Sequence, residues 1–177
     1  VYSRRRILEY REHLLPRVRV AAQVEALGLA AEAELDEEDL LEIARVQALP
    51  PEGELDDRTG LSEGQIRALP VPTRMKLTRG ASRTLRNILL KDSNAMVAVS
   101  VLANSALSED EVELVASSRN VVDEVLAYIS RKREWAGRYN CAHNLVRNPR
   151  TPVGVSVRLV SRLSVKDLKN LARDRNV

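Results

Sequence analysis

Residues 89–121 and 145–177 of this 177-residue chain align over 33 positions without a gap, at an offset of 56 and with twelve identities. The identities include Leu89/Leu145, Val97/Val153, Val99/Val155, Val101/Val157, Leu107/Leu163, Ser108/Ser164 and the closing Arg-Asn-Val. Self-similarity at a fixed period implies supersecondary units that bury their apolar faces against one another. A half-period is also visible. Lys91-Asp92, Arg119-Asn120, Arg147-Asn148 and Arg175-Asn176 recur every 28 residues, and Val97, Val125 and Val153 each follow five residues behind a polar member. The expected unit is about 28 residues, two short helices joined by tight turns.

The punctuation fits helices. Ser108-x-x-Glu111 has the spacing of a capping box, and Ser164-x-x-Asp167 repeats it with a shorter carboxylate. Thr151 is expected to cap a helix with Pro152 at its first position, Asp123 to cap the equivalent helix, and Asn94 to stand in where Ala95 departs from the pattern. Asn120 and Asn148 suit the left-handed residue that closes a helix. The alternating Val97, Val99 and Val101 could suit a strand, but the bracketing Asn94 and Ser108 favour a helix.

The stretch VRNPRTPVGVSVRLV at 146–160 resembles the bacterial leucine-rich-repeat-variant and related HEAT-like helical repeats. The resemblance spans roughly residues 73–177 and is strongest at 139–160. It implies short helix pairs stacked into a right-handed solenoid, and it brings no known activity. The expected fold is all-α, a short HEAT-like α-solenoid with a helical N-terminal extension. The division expected is a helical acidic region at 1–48, a linker at 49–60 where Pro, Gly and acids concentrate, and a repeat array at 61–177. Within the first part, residues 3–13 and 17–34 have helical spacing, and the acids at 36–39 suit a helix start.

Composition narrows the function. Aromatic residues are 3% of the chain and Phe is absent, so the interior is built from Ala, Val, Leu and Ile. Residues 1–70 carry nine Arg against fifteen acids, a net of −6, and residues 71–177 carry nineteen Arg or Lys against ten acids, a net of +9. Opposite signs predict mutual contact or two different partner surfaces. A lone Cys141 fits a reducing compartment. No apolar run approaches the roughly 20 residues of a membrane span, and no leader pattern is present. The expected location is cytoplasmic.

Candidates for chemistry are few. Cys141 and His143 are two apart and do not face each other on a helix. His13 is isolated, and Glu134 is next to Trp135 but points elsewhere. Trp135 aligns with Leu107 and Leu163, which marks it as a packing wedge. No phosphate loop or zinc-type histidine pair occurs, and seven glycines are few for a cofactor cradle. The expectation is a protein that is not an enzyme and takes no cofactor or metal. The basic set stands out instead: Lys91, Arg119, Arg147 and Arg175 along one edge of a regular stack, with Arg131, Arg133 and Arg138 between copies. These residues are the candidate partner-binding surface. The reading is an interaction scaffold for a protein partner. Nucleic acid bound along the basic face is the alternative, and an oligomer is compatible with both.

Overall fold

A computed structural model describes Gly28 and residues 31–174. Arg4–Arg6, His13, the expected 3–13 helix, most of the 17–34 helix and the Arg175-Asn176 element lie outside the described residues. Those described form an all-α structure, with eleven helices from residue 37 onward. They are α1 Glu37–Gln47, α2 Glu63–Ala68, α3 Val71–Leu77, α4 Arg83–Leu90, α5 Ala95–Asn104, α6 Glu109–Ser117, α7 Asp123–Arg131, α8 Arg133–Ala136, α9 Tyr139–Arg147, α10 Val153–Val160 and α11 Val165–Leu171. The chain divides into two compact units, Val1–Thr84 and Leu85–Val177.

The segment 49–60 lies within the first unit and is pinned there by its own hydrogen bonds. The buried Asp56 carboxylate accepts from Thr59 N and Oγ1, both at 2.8 Å, from Arg58 N at 3.2 Å, and from the Ser82 hydroxyl. Gln65 completes a capping box with Ser62 and donates from Nε2 to the Leu49 carbonyl at 2.8 Å. Pro and Gly thus mark a tight, internally bonded loop here. In the same unit α1 begins with a reciprocal Asp36–Asp39 capping box. Thr73 Oγ1 donates to the buried Asp39 at 2.7 Å, and the Lys76 ammonium bridges both carboxylates.

The second unit is built of helix pairs. Here α5 packs on α7, α6 on α9, and α10 on α9. Val97, Ala98, Val101 and Leu102 of α5, Val112 and Ala116 of α6, Val125, Leu126 and Ile129 of α7, and Cys141, Ala142 and Leu145 of α9 form an aliphatic core. Such side chains fill the narrow space between helices with few rotamers to restrict, which suits a chain without Phe.

The 28-residue period is an average. Helices α4, α6, α9 and α11 begin at residues 83, 109, 139 and 165, steps of 26, 30 and 26. The offset of 56 therefore holds for 83 to 139 and for 109 to 165, and its halves differ because α8 is inserted between α7 and α9. The other helix of each pair keeps a different register. Asn94 and Pro152, which precede α5 and α10, are 58 apart. Val101 consequently corresponds in place to Leu159, buried like it, and the identical Val157 faces outward.

Several turn expectations need correction. Pro152, not Thr151, occupies the cap position of α10, and the Thr151 hydroxyl is buried with no partner among the described residues. Asp123 is the first residue of α7, after Val122. Asn148 closes α9 in extended backbone, φ −84° and ψ 116°, and Asn120 likewise has no positive φ. The closing device is a side-chain turn, in which an oxygen accepts the N–H two residues on. Asp92 takes Asn94 N at 2.8 Å, Ser118 takes Asn120 N at 3.3 Å, and Asn148 takes Arg150 N at 3.0 Å. Asn120, aligned with Asp92 and Asn148 by the half-period, is therefore not their counterpart; Ser118 is. Asn94 does cap α5, bonding Met96 N and Val97 N, and Ser108–Glu111 does close a capping box on α6.

Candidate interaction surface

Asn140 and Asn144 of α9, and Asn148 which closes it, lie on one side because a helix returns to the same face every three to four residues. All three reach α6. Asn140 Nδ2 donates to Glu113 Oε2 at 3.3 Å and Asn144 Nδ2 to the Glu113 carbonyl at 3.1 Å. Asn148 Nδ2 donates to the carbonyls of Ala116 at 2.9 Å and Ser118 at 2.8 Å. The last two bonds satisfy orphan carbonyls at the end of α6, which otherwise have no partner within their helix. The four-residue spacing of this stripe is visible in the sequence, but nothing there points to α6 as its partner. It fixes α9 on α6 and so sets which side chains remain outside.

Two of the predicted basic residues, Arg138 and Arg147, are paired inside the second unit, as are four other arginines. Arg138 pairs with Glu113 at 3.3 Å and with Glu109. Arg147, in the last turn of α9, reaches Asp174 at 3.4 Å. Arg86 pairs with Glu111 at 2.7 Å, and Arg150 with Asp123 at 3.2 Å. Arg158 donates to Ser130 Oγ at 3.3 Å, and Arg162 donates to the carbonyls of Ala136 and, at 2.9 Å, Gly137. These partners are 25 to 29 residues apart in sequence, roughly one helix-pair unit, so the cations tie neighbouring pairs together. Of the predicted set, Lys91 is half-buried, and Arg119, Arg131 and Arg133 are exposed. The latter two flank Lys132, whose ammonium lies 5.5 Å from the centre of the Tyr128 ring, and Tyr128 lies 6.4 Å from Trp135. Trp135 is half-buried, a wedge with one side open.

Cys141 and His143 do not form a reactive pair. Burial pushes the Cys141 thiol up to about 11, with the Glu113 carboxylate adding to the effect, so it is a neutral thiol near pH 7. His143 instead stacks on Tyr139 with ring centres 6.3 Å apart. Tyr139 also explains the shortened box at α11. Its hydroxyl accepts from Ser164 N at 3.0 Å and donates to Asp167, filling the place a longer carboxylate would reach. That bond, with the Ser164 hydroxyl at 2.7 Å, holds the Asp167 carboxyl below its usual range. Among the described residues no group of three or more His, Cys, Asp or Glu is arranged to hold a metal ion, and no helix is long and apolar enough to cross a membrane.

The outward faces of the same helices carry apolar side chains. Met96, Leu114, Val153, Val157 and Val165 are each more than 60% exposed. Val153 and Val157 are four apart on α10, with Gly154 beside them, and a Cβ built at Gly154 would meet nothing within 4 Å. Compared with family models, curated proteins and solved structures, the chain matches none.

Proposed function

We propose that the chain is a non-enzymatic scaffold, a short HEAT-like α-solenoid that binds protein through the outer faces of its repeat array. The observation that carries this reading is the bare pair Val153 and Val157, 78% and 68% exposed on one side of α10. Two aliphatic side chains in adjacent turns, with open space at Gly154, form the kind of surface that gains by being covered. Stacked helix pairs suit the role, because outward residues can be used for binding without disturbing those that hold the stack. A buried, neutral Cys141 and a stacked His143 support binding in preference to catalysis. The predicted contact is largely apolar, so complexes captured from cells expressing the chain should survive about 0.5 M salt, at which exposed charge pairs are screened within a few ångströms. They should be lost from Val153→Asp/Val157→Asp. Capture that is unchanged in this variant would overturn the reading.

A second reading, nucleic-acid binding, is favoured by one feature. Arg131, Lys132 and Arg133 are exposed beside the Tyr128–Trp135 pair, and cations around aromatic rings suit stacked bases with their phosphates. Binding of that kind falls steeply with salt. Retardation of single-stranded RNA or DNA at low salt, abolished by Arg119→Glu/Arg131→Glu/Arg133→Glu, would establish it. An absence of retardation at low salt would remove it.

A further inference from the structure

Helix α10 is covered less than its counterpart. In α5 the positions three, four, seven and eight residues after the cap, Val97, Ala98, Val101 and Leu102, are all buried, and α7 packs against the helix. The same positions after Pro152 are Val155, Ser156, Leu159 and Val160, and only Leu159 is buried. Helix α11 follows with no fully buried residue. Val165, Lys166 and Lys169 are exposed on it, as is Arg173 just beyond its end. The last pair therefore presents valines and cations. What covers α5 is α7, a helix with an acidic first turn, Asp123-Glu124, followed by Val125 and Leu126.

The first unit exposes a surface of that chemistry. Lys76 pairs with Asp36 and Asp39, and Glu37 and Glu38 remain exposed in the first turn of α1. Leu40 and Leu41 follow them, 39% and 41% exposed. As at the start of α7, acids precede two adjacent aliphatics, although in α1 the buried Asp39 stands between and sets the leucines one position later. We propose that the chain associates head to tail, α1 of one copy seated on the α10–α11 pair of a second copy. Leu40 and Leu41 cover Val153, Val157 and Val165, and Glu37 and Glu38 meet Lys166, Lys169 and Arg173. Because the two surfaces differ, one copy has both a donor and an acceptor face, and assembly continues beyond the dimer unless the rotation closes a ring. The inference rests on reading the array as protein-binding, and it names the partner.

Sedimentation velocity of the full chain from about 1 to about 500 μM tests it, since weak specific contacts lie in that range. The expected result is a mean mass that rises with concentration, lowered but not abolished by about 0.5 M salt, which screens the charge pairs and leaves the apolar contact. Val153→Asp/Val157→Asp and Leu40→Asp/Leu41→Asp should each be monomeric throughout. Their equimolar mixture should form dimers and nothing larger, because each variant retains one working face. Should the leucine variant lose α1 by circular dichroism, Glu37→Gln/Glu38→Gln tests the same surface and should weaken association severalfold. A wild-type chain that stays monomeric, a variant that associates like wild type, or a mixture of folded variants that stays monomeric would overturn the proposal. Monomeric wild type with salt-resistant capture of another protein would leave the scaffold reading standing and remove only self-association.

Discussion

Asn148 donates to the Ala116 carbonyl, 32 residues earlier, at 2.9 Å, and the asparagine is buried. The same amide nitrogen serves Ser118, and the amide oxygen takes Arg150 N. One side chain thus closes its own helix and the helix of the preceding pair. Replacing it with alanine leaves two carbonyls and an N–H without this partner. Each buried unsatisfied group costs about 1–3 kcal/mol, so Asn148→Ala should destabilise the second unit by about 3 kcal/mol in urea unfolding. Asn148→Asp should cost at least as much, since a carboxylate would face two carbonyl oxygens.

Thr73 Oγ1 holds the buried Asp39 at 2.7 Å. A hydrogen bond to a charged group contributes about 1.5–3 kcal/mol. Thr73→Val should therefore destabilise the first unit by about 2 kcal/mol, read by unfolding followed through α1. Thr73→Ser, which keeps the donor, should recover most of the loss.

These two cases also mark what could be read from the sequence. Helix starts at Ser108, Ser164 and Asn94 were legible because a cap bonds within three residues, and that pattern is local. The interlock by Asn140, Asn144 and Asn148 leaves no such local pattern, because its partners lie about thirty residues away. Val97 and Val153 show a related limit. They are identical in sequence, but a two-residue difference in helix start turns one inward and the other to solvent. Of the basic residues, a spacing of 28 could not tell Arg147, which is paired, from Arg119, which is exposed, since that depends on an acid in a neighbouring helix.

Acid should weaken both units. Burial raises the Glu111 carboxyl, but the Ser108 N–H and the Arg86 guanidinium outweigh it, and the group titrates below its usual range. The Lys76 ammonium likewise holds Asp36 down to about 2. A carboxyl depressed on folding contributes stability that is present above its unfolded value, about 4, and lost as pH falls through the folded one. Stability should thus decline below about pH 4. The Lys76 ammonium is raised in turn, so its contribution is present below its unfolded value, about 10.4, and lost as pH rises through the folded one. Glu111→Gln should flatten the acid limb for the second unit, and Lys76→Met should flatten both limbs for the first. Urea titrations at stepped pH measure this.

Cys141 should resist modification. With the thiol raised to about 11, its thiolate fraction at pH 8 is roughly 100-fold below that of a free cysteine at about 8.5. Burial blocks access as well. An aromatic disulfide reagent should label it at least 100-fold more slowly in the native chain than in urea. Labelling at comparable rates would show that α9 opens readily.

What touches the outer faces of the array decides between protein and nucleic acid as the partner. A photo-crosslinking phenylalanine derivative placed at Val157 in one variant and at Arg131 in another, irradiated in cells expressing the chain, measures this directly. Both positions are exposed, so neither substitution disturbs the core. The scaffold reading predicts discrete protease-sensitive adducts at position 157 and no nuclease-sensitive adduct at position 131. Nuclease-sensitive adducts at 131, with none of protein at 157, would contradict it.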